Sequence, residues 1–228
     1  MRKLIYAVIA GGAATMMSAP SFADLIFAGN ISGVSGGVGN SQIVLSLSSP
    51  GNTSSETGSV NPAGCSGDTQ NPCSSPANQT PSFASAGVTS AQDLAIWLDA
   101  QEPGNDNAIT LNSLTLEVFA ASGTSSSPLF SASLIGTPLS LTTCPGQGNN
   151  CVNSFVLDAP QALLLQNIFS PDLRVGLFGS LSNATGGPDR FFLASQGTAV
   201  PEPATLALLG AGLFGIAAAA RRRRKAIS

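Results

Sequence analysis

Between residues 24 and 199 the chain offers only two basic side chains, Arg174 and Arg190, and none before residue 174. That shortage constrains the fold more than any motif does. Exposed helix faces are ordinarily solvated by charges and braced by ion pairs one turn apart. Coiled coils need charges flanking their apolar seam. With charged residues at 9% of the chain, against about 25% in an ordinary soluble domain, a helical bundle is a poor solution for this stretch. A nucleic-acid partner is excluded as well, because phosphates are neutralised by a basic face. The chain contains no histidine, which removes Ser–His and Cys–His catalytic pairs and histidine metal sites.

What residues 24–199 can build is sheet. Short apolar or alternating runs recur at 25–28, 43–47, 94–98, 109–119, 129–135, 139–141, 155–157, 174–181 and 190–194. In the clearest run Leu114, Leu116 and Val118 share one face, with Thr115, Glu117 and Phe119 on the other. Turn chemistry such as Glu102-Pro103-Gly104-Asn105 separates the runs. The expectation is an all-β, antiparallel sandwich or jelly-roll-like domain over 24–199. One short helix fits, capped by Asp158 and running through Ala159-Pro160-Gln161 to Phe169, with proline in its first turn. Residues 52–90 hold Phe83 as their single large aromatic among Ser, Gly, Asn, Thr and Pro, and are expected to be a loop-rich insertion.

Both ends of the chain carry three-part patterns. Residues 1–23 have a basic start at Arg2 and Lys3, an apolar stretch from Leu4 to Met17, and small residues at Ser21 and Ala23. This pattern predicts a signal peptide cut by signal peptidase between Ala23 and Asp24. At the other end Val200-Pro201-Glu202-Pro203 precedes an uncharged segment, residues 204–220, then Arg221, Arg222, Arg223, Arg224 and Lys225. Seventeen helical residues would span about 25 Å, near the lower limit for a single transmembrane helix. The five cations fix its C-terminal side in the cytoplasm. Everything from 24 to 199 then lies beyond the inner membrane. The two prolines keep the preceding segment extended and accessible.

A Pro-Glu-Pro motif, a short apolar helix and a terminal arginine cluster, in that order over 200–225, resemble the PEP-CTERM sorting signal. The resemblance implies recognition and processing by exosortase, a membrane protease-transpeptidase, in a Gram-negative bacterium that makes exopolysaccharide. It implies a sorting motif at Val200, Pro201, Glu202, Pro203 and Arg221 to Lys225. It also implies a transient or permanent anchor in the inner membrane through 204–220, before display at the cell surface or in the extracellular matrix, where exopolysaccharide is a candidate partner.

Chemistry within residues 24–199 is sparse. Cys65, Cys73, Cys144 and Cys151 form two local couples, and export into an oxidising compartment makes disulfides the expected state. Short spacing favours 65–73 and 144–151, although four cysteines allow three connectivities. No cofactor is expected. One oxygen-rich turn, with Asp99, Glu102, Asn105, Asp106 and Asn107, could hold Ca²⁺, but its spacing is not that of an EF-hand loop and a solvated turn is the ordinary outcome. Asp93 with Asp99, or Glu102 with Glu117, are nominal carboxylate pairs for a polysaccharide-active enzyme. Trp97 sits in an apolar run and is expected in the core. The preferred reading is an exported, non-enzymatic surface or matrix protein. A carboxylate-based extracytoplasmic enzyme and a plain one-pass membrane protein are the alternatives.

Overall fold

Residues 108–119 form the longest strand, and its burial changes parity along the way. Ile109 and Leu111 are buried, then Leu114, Leu116 and Val118, so the inward face switches from odd to even positions. The switch coincides with a register shift against the neighbouring strand, where Ser180 opposes Ser113 but Leu181 opposes Leu111. Asn112 is the extra residue. A bulge of this kind bends a strand and lets one run of sequence line a curved core.

The computed structural model describes residues 24–32, 41–49, 53–70, 79–100, 108–123, 125–142, 151–185 and 187–196. Among them lie the strands β1 (Asp24–Ser32), β2 (Gln42–Leu47), β3 (Ser55–Asn61), β4 (Gly64–Gly67), β5 (Leu94–Asp99), β6 (Ala108–Phe119), β7 (Phe130–Leu134) and β8 (Leu139–Thr142). After β9 (Cys151–Leu157) come the helix α1 (Ala159–Ile168), β10 (Arg174–Ser182) and β11 (Asp189–Ser195). The architecture is therefore mostly β with one α-helix, as the runs predict.

The strands form one curled sheet in the order β2-β11-β5-β9-β1-β7-β6-β10-β3-β4, with β8 on β6. Each pairing is antiparallel except the short parallel joint of β1 with β7, Asp24 opposite Ser133 and Leu25 opposite Leu134. The curl folds one half of the sheet over the other around Leu25, Leu45, Leu47, Ile96, Leu98, Leu116, Phe155, Leu177 and Phe191, all fully or almost fully buried. Its two end strands are then joined. Residues 68–70, just after β4, reach β2 through Ser48 N–H to the Asp68 carbonyl (3.0 Å) and Gln70 N–H to the Ser46 carbonyl (2.8 Å). A bridge between Leu47 and Thr69 lies between them. Covering the β2 edge in this way protects it from pairing with another chain.

The sequence expectation needs correction in residues 52–90. Residues 55–67 form the β3–β4 hairpin, and β3 lies within the sheet against β10. The alternation is present but disguised, because Glu56, Gly58 and Val60 point inward while Thr57 and Ser59 face out. Gly58 is small for a reason: a Cβ there would lie 2.7 Å from Leu47 Cδ2 and 2.8 Å from the Ser66 carbonyl. Residues 80–88 strap across the loop after α1. Phe83 is fully buried and stacks on Phe169 with centroids 5.1 Å apart. Phe83 N–H donates to the Leu173 carbonyl, and Ala84 N–H to the Pro171 carbonyl.

The helix forms where its capping signals lie. Asp158 Oδ1 accepts from the Gln161 N–H at 2.8 Å, satisfying one of the donors a helix start leaves open, and proline occupies the first turn. Gln161, Ala162 and Leu165 face the sheet. No helix among the described residues is long and apolar enough to cross a membrane. The expected signal peptide 1–23 and transmembrane helix 204–220 both lie outside the described residues.

Candidate sorting site

The body is entered and left at two points beside the same helix. β1 begins at Asp24, the expected first residue after cleavage, while Ala23 lies outside the described residues. The Asp24 carbonyl accepts from the backbone N–H of Asp158, the α1 cap, at 3.2 Å. At the far end of the fold, Gln196 N–H donates to the Asp93 carbonyl at 2.8 Å. Asp93 closes the 3₁₀ turn Ala91–Asp93, whose Ala91 N–H donates to Gln166 Oε1 of α1 at 2.9 Å. The entry thus sits at the N-terminal end of α1, and the exit is tied to a turn held by Gln166, about 12 Å further along the helix.

Beyond Gln196 the chain runs into the segment with Pro-Glu-Pro, the apolar stretch and the arginine cluster. Residues 199–224 match the PEP-CTERM protein-sorting motif. The match begins one residue before Val200 and ends at Arg224, so Val200, Pro201, Glu202, Pro203 and Arg221 to Arg224 fall inside it and Lys225 just outside. The chain carries a PEP-CTERM signal, which implies exosortase as the processing partner and export with processing at the membrane. No curated protein and no solved structure matches the chain. All of residues 200–225 lie outside the described residues. What the structure adds to the PEP-CTERM signal is the point from which it departs.

The other candidate residues do not converge. Asp99 ends β5, opposite Arg190 of β11, whereas Glu102, Asn105, Asp106 and Asn107 lie outside the described residues. No group of three metal-ligating Cys, Asp or Glu side chains occurs among the described residues. Asp93 and Asp99 fail as a catalytic pair. They stand at opposite ends of β5, about 20 Å apart at strand rise, where paired glycosidase carboxyls stand roughly 5 to 9.5 Å apart. Asp93 has a structural task instead: its buried Oδ2 accepts from Thr89 Oγ1 at 2.7 Å, fixing the turn that holds Gln196. Glu117 lies on the outward face of β6, opposite Gly176 and Ser131, and partial burial raises its pKa above the ordinary 4.5. Cys65 lies on β4, where Thr69 Oγ1 contacts its sulfur at 3.5 Å. It is disulfide-bonded, while the side chains of Cys73, Cys144 and Cys151 lie outside the described residues, so neither expected pairing is among the described contacts.

Sequence reasoning missed a set of buried polar side chains. Glu56 and Asp189 are fully buried at one end of β2, where Asp189 opposes Leu47 and Ser49 Oγ donates to Glu56 Oε1 at 2.9 Å. On β9, Asn153 and Ser154 are almost completely buried. The Asn153 amide, Ser154 Oγ and Trp97 Nε1 have no hydrogen-bond partner among the described residues. Ser154 opposes Trp97 directly across β9 and β5, so they share the outer face, and Trp97 is only partly buried. The alternation of β9 (Cys-Val-Asn-Ser-Phe) gave no sign that both of its polar residues would be enclosed.

Proposed function

We propose that the chain is an exported, non-enzymatic surface or extracellular-matrix protein whose tail is recognised and processed by exosortase. The observation that carries this reading is the match of residues 199–224 to the PEP-CTERM motif. In this account residues 1–23 are removed by signal peptidase, and residues 204–220 hold the chain in the inner membrane of a Gram-negative bacterium. Processing near Val200 to Pro203 then releases or transfers residues 24–199 to the cell surface or matrix. Disulfides 65–73 and 144–151 fit that oxidising destination.

Charge supports the division of labour. Seven of the nine basic residues lie in the two terminal segments, leaving residues 24–199 with eleven acids and two bases, a formal −9. A domain of one sign stays soluble after release and is repelled by acidic polysaccharide. Association with acidic exopolysaccharide would accordingly need a bridging divalent cation such as Ca²⁺. Glu202 is the one acidic residue in the PEP-CTERM segment, and a cationic pocket would read it. Glu202→Ala should leave an unprocessed chain in the membrane fraction. Unchanged processing of this variant would contradict the role given to the tripeptide.

A further inference from the structure

The outward face of α1 is apolar where a surface helix is ordinarily charged. Leu163 is 60%, Leu164 53% and Ile168 42% exposed. No charged residue occurs in Ala159–Ile168, and at 100° per residue Pro160 and Asn167 complete the same face. The inward face is occupied by Gln161, Ala162 and Leu165. A helix that exposes three large apolar side chains and no charge leaves apolar surface to be covered on its outward face.

The chain's own path says what lies against it. Asp24 enters beside the α1 cap, and Gln196 is bonded to the 3₁₀ turn 91–93, which Gln166 of α1 holds through Ala91. From Gln196 to Ala204, where the uncharged segment starts, there are eight residue steps, at most about 28 Å of extended chain. The apolar stretch of the signal peptide, ending at Met17, is seven steps from Asp24, about 25 Å by the same measure. Two apolar stretches of sequence therefore lie within short reach of the entry and exit of the body, near a helix whose exposed face carries no charge.

We propose that the Leu163–Leu164–Ile168 face of α1 rests on the lipid surface of the membrane while the tail is anchored, seating the body with α1 downward. This rests on the reading of residues 204–220 as a membrane segment. Three partly exposed apolar side chains form a weak contact on their own. The short tether raises their effective concentration at the interface, so the contact acts only within the anchored chain and is lost when the tail is cut. The body would then dock before processing and detach after it, without a separate release step.

The test uses the full chain reconstituted in phosphatidylcholine vesicles, some containing brominated phosphatidylcholine. Leu164→Trp is compared with Phe178→Trp, a position exposed on the outer face of β10, and with the wild-type chain, whose single tryptophan is Trp97. Brominated lipid should reduce the added emission of Leu164→Trp at least twofold and leave that of Phe178→Trp unchanged. Slowed amide exchange over 159–168 in vesicles relative to the same chain in detergent is the second readout. Failure of the chain to float with vesicles would overturn the membrane reading of the tail, and with it this inference. A chain that floats but shows neither quenching nor protection at α1 would overturn this inference alone. Protection of α1 in detergent that accompanies dimer formation would assign the face to a second copy and likewise overturn it.

Discussion

The fold works against the ionisation of Glu117. Desolvation by burial raises its pKa above 4.5, so the folded state holds its proton more tightly than the unfolded chain does. Between 4.5 and the raised folded value the native state binds more protons, and stability therefore falls as pH rises through that window. Below the window the penalty is absent; above it the penalty is complete. Glu117→Gln should flatten this part of the pH–stability curve and stabilise the protein at neutral pH, by well under about 1 kcal/mol because water still screens the position. Urea unfolding midpoints measured at pH 4 and pH 7 check it. A variant that keeps the wild-type slope would show that another carboxyl carries the effect.

At the scale of elements, the β3–β4 hairpin is the piece that closes the sheet, and Gly58 is closely packed within it. Alanine at an unconstrained glycine inside a strand would gain about 0.5–1 kcal/mol of backbone entropy. At Gly58 the added Cβ would press against Leu47 Cδ2 and the Ser66 carbonyl, and overpacking of that kind costs about 1–3 kcal/mol. The second effect is the larger, so Gly58→Ala should lower the unfolding free energy in a urea titration. A stabilised variant would mean the closure is looser than these contacts require. This hairpin also marks where the sequence stopped being legible. Strands such as β5 and β6 announce themselves through large apolar residues at regular spacing, and α1 through Asp158 and Pro160. In β3 the inward positions are Glu56, Gly58 and Val60, which carry little hydrophobic signal; at Gly58 it is Leu47 that fills the space. Asn153 and Ser154 were invisible for the converse reason: polar residues on a strand are ordinarily read as its solvated side. The sorting motif needed no fold to be seen, since its order of proline, apolar segment and arginine is local. That Asp24 meets the α1 cap and Gln196 the turn bonded to Gln166 could be learned only from the structure.

For the whole molecule, charge, topology and sorting describe one design. Basic residues are concentrated in the two terminal segments and nearly absent between them, so removal of both segments would turn a membrane-directed chain into an acidic β domain. The curl of the sheet brings the entry at Asp24 to the cap of α1 and the exit at Gln196 to a turn bonded to the same helix. Processing of the PEP-CTERM segment is read from the intact mass of the mature protein in envelope and medium. A processed chain begins at Asp24 and ends near Val200 to Pro203, with any attached group as added mass. A membrane-bound product that retains Arg221 to Lys225 as its only mature form would contradict it and make this an ordinary one-pass membrane protein.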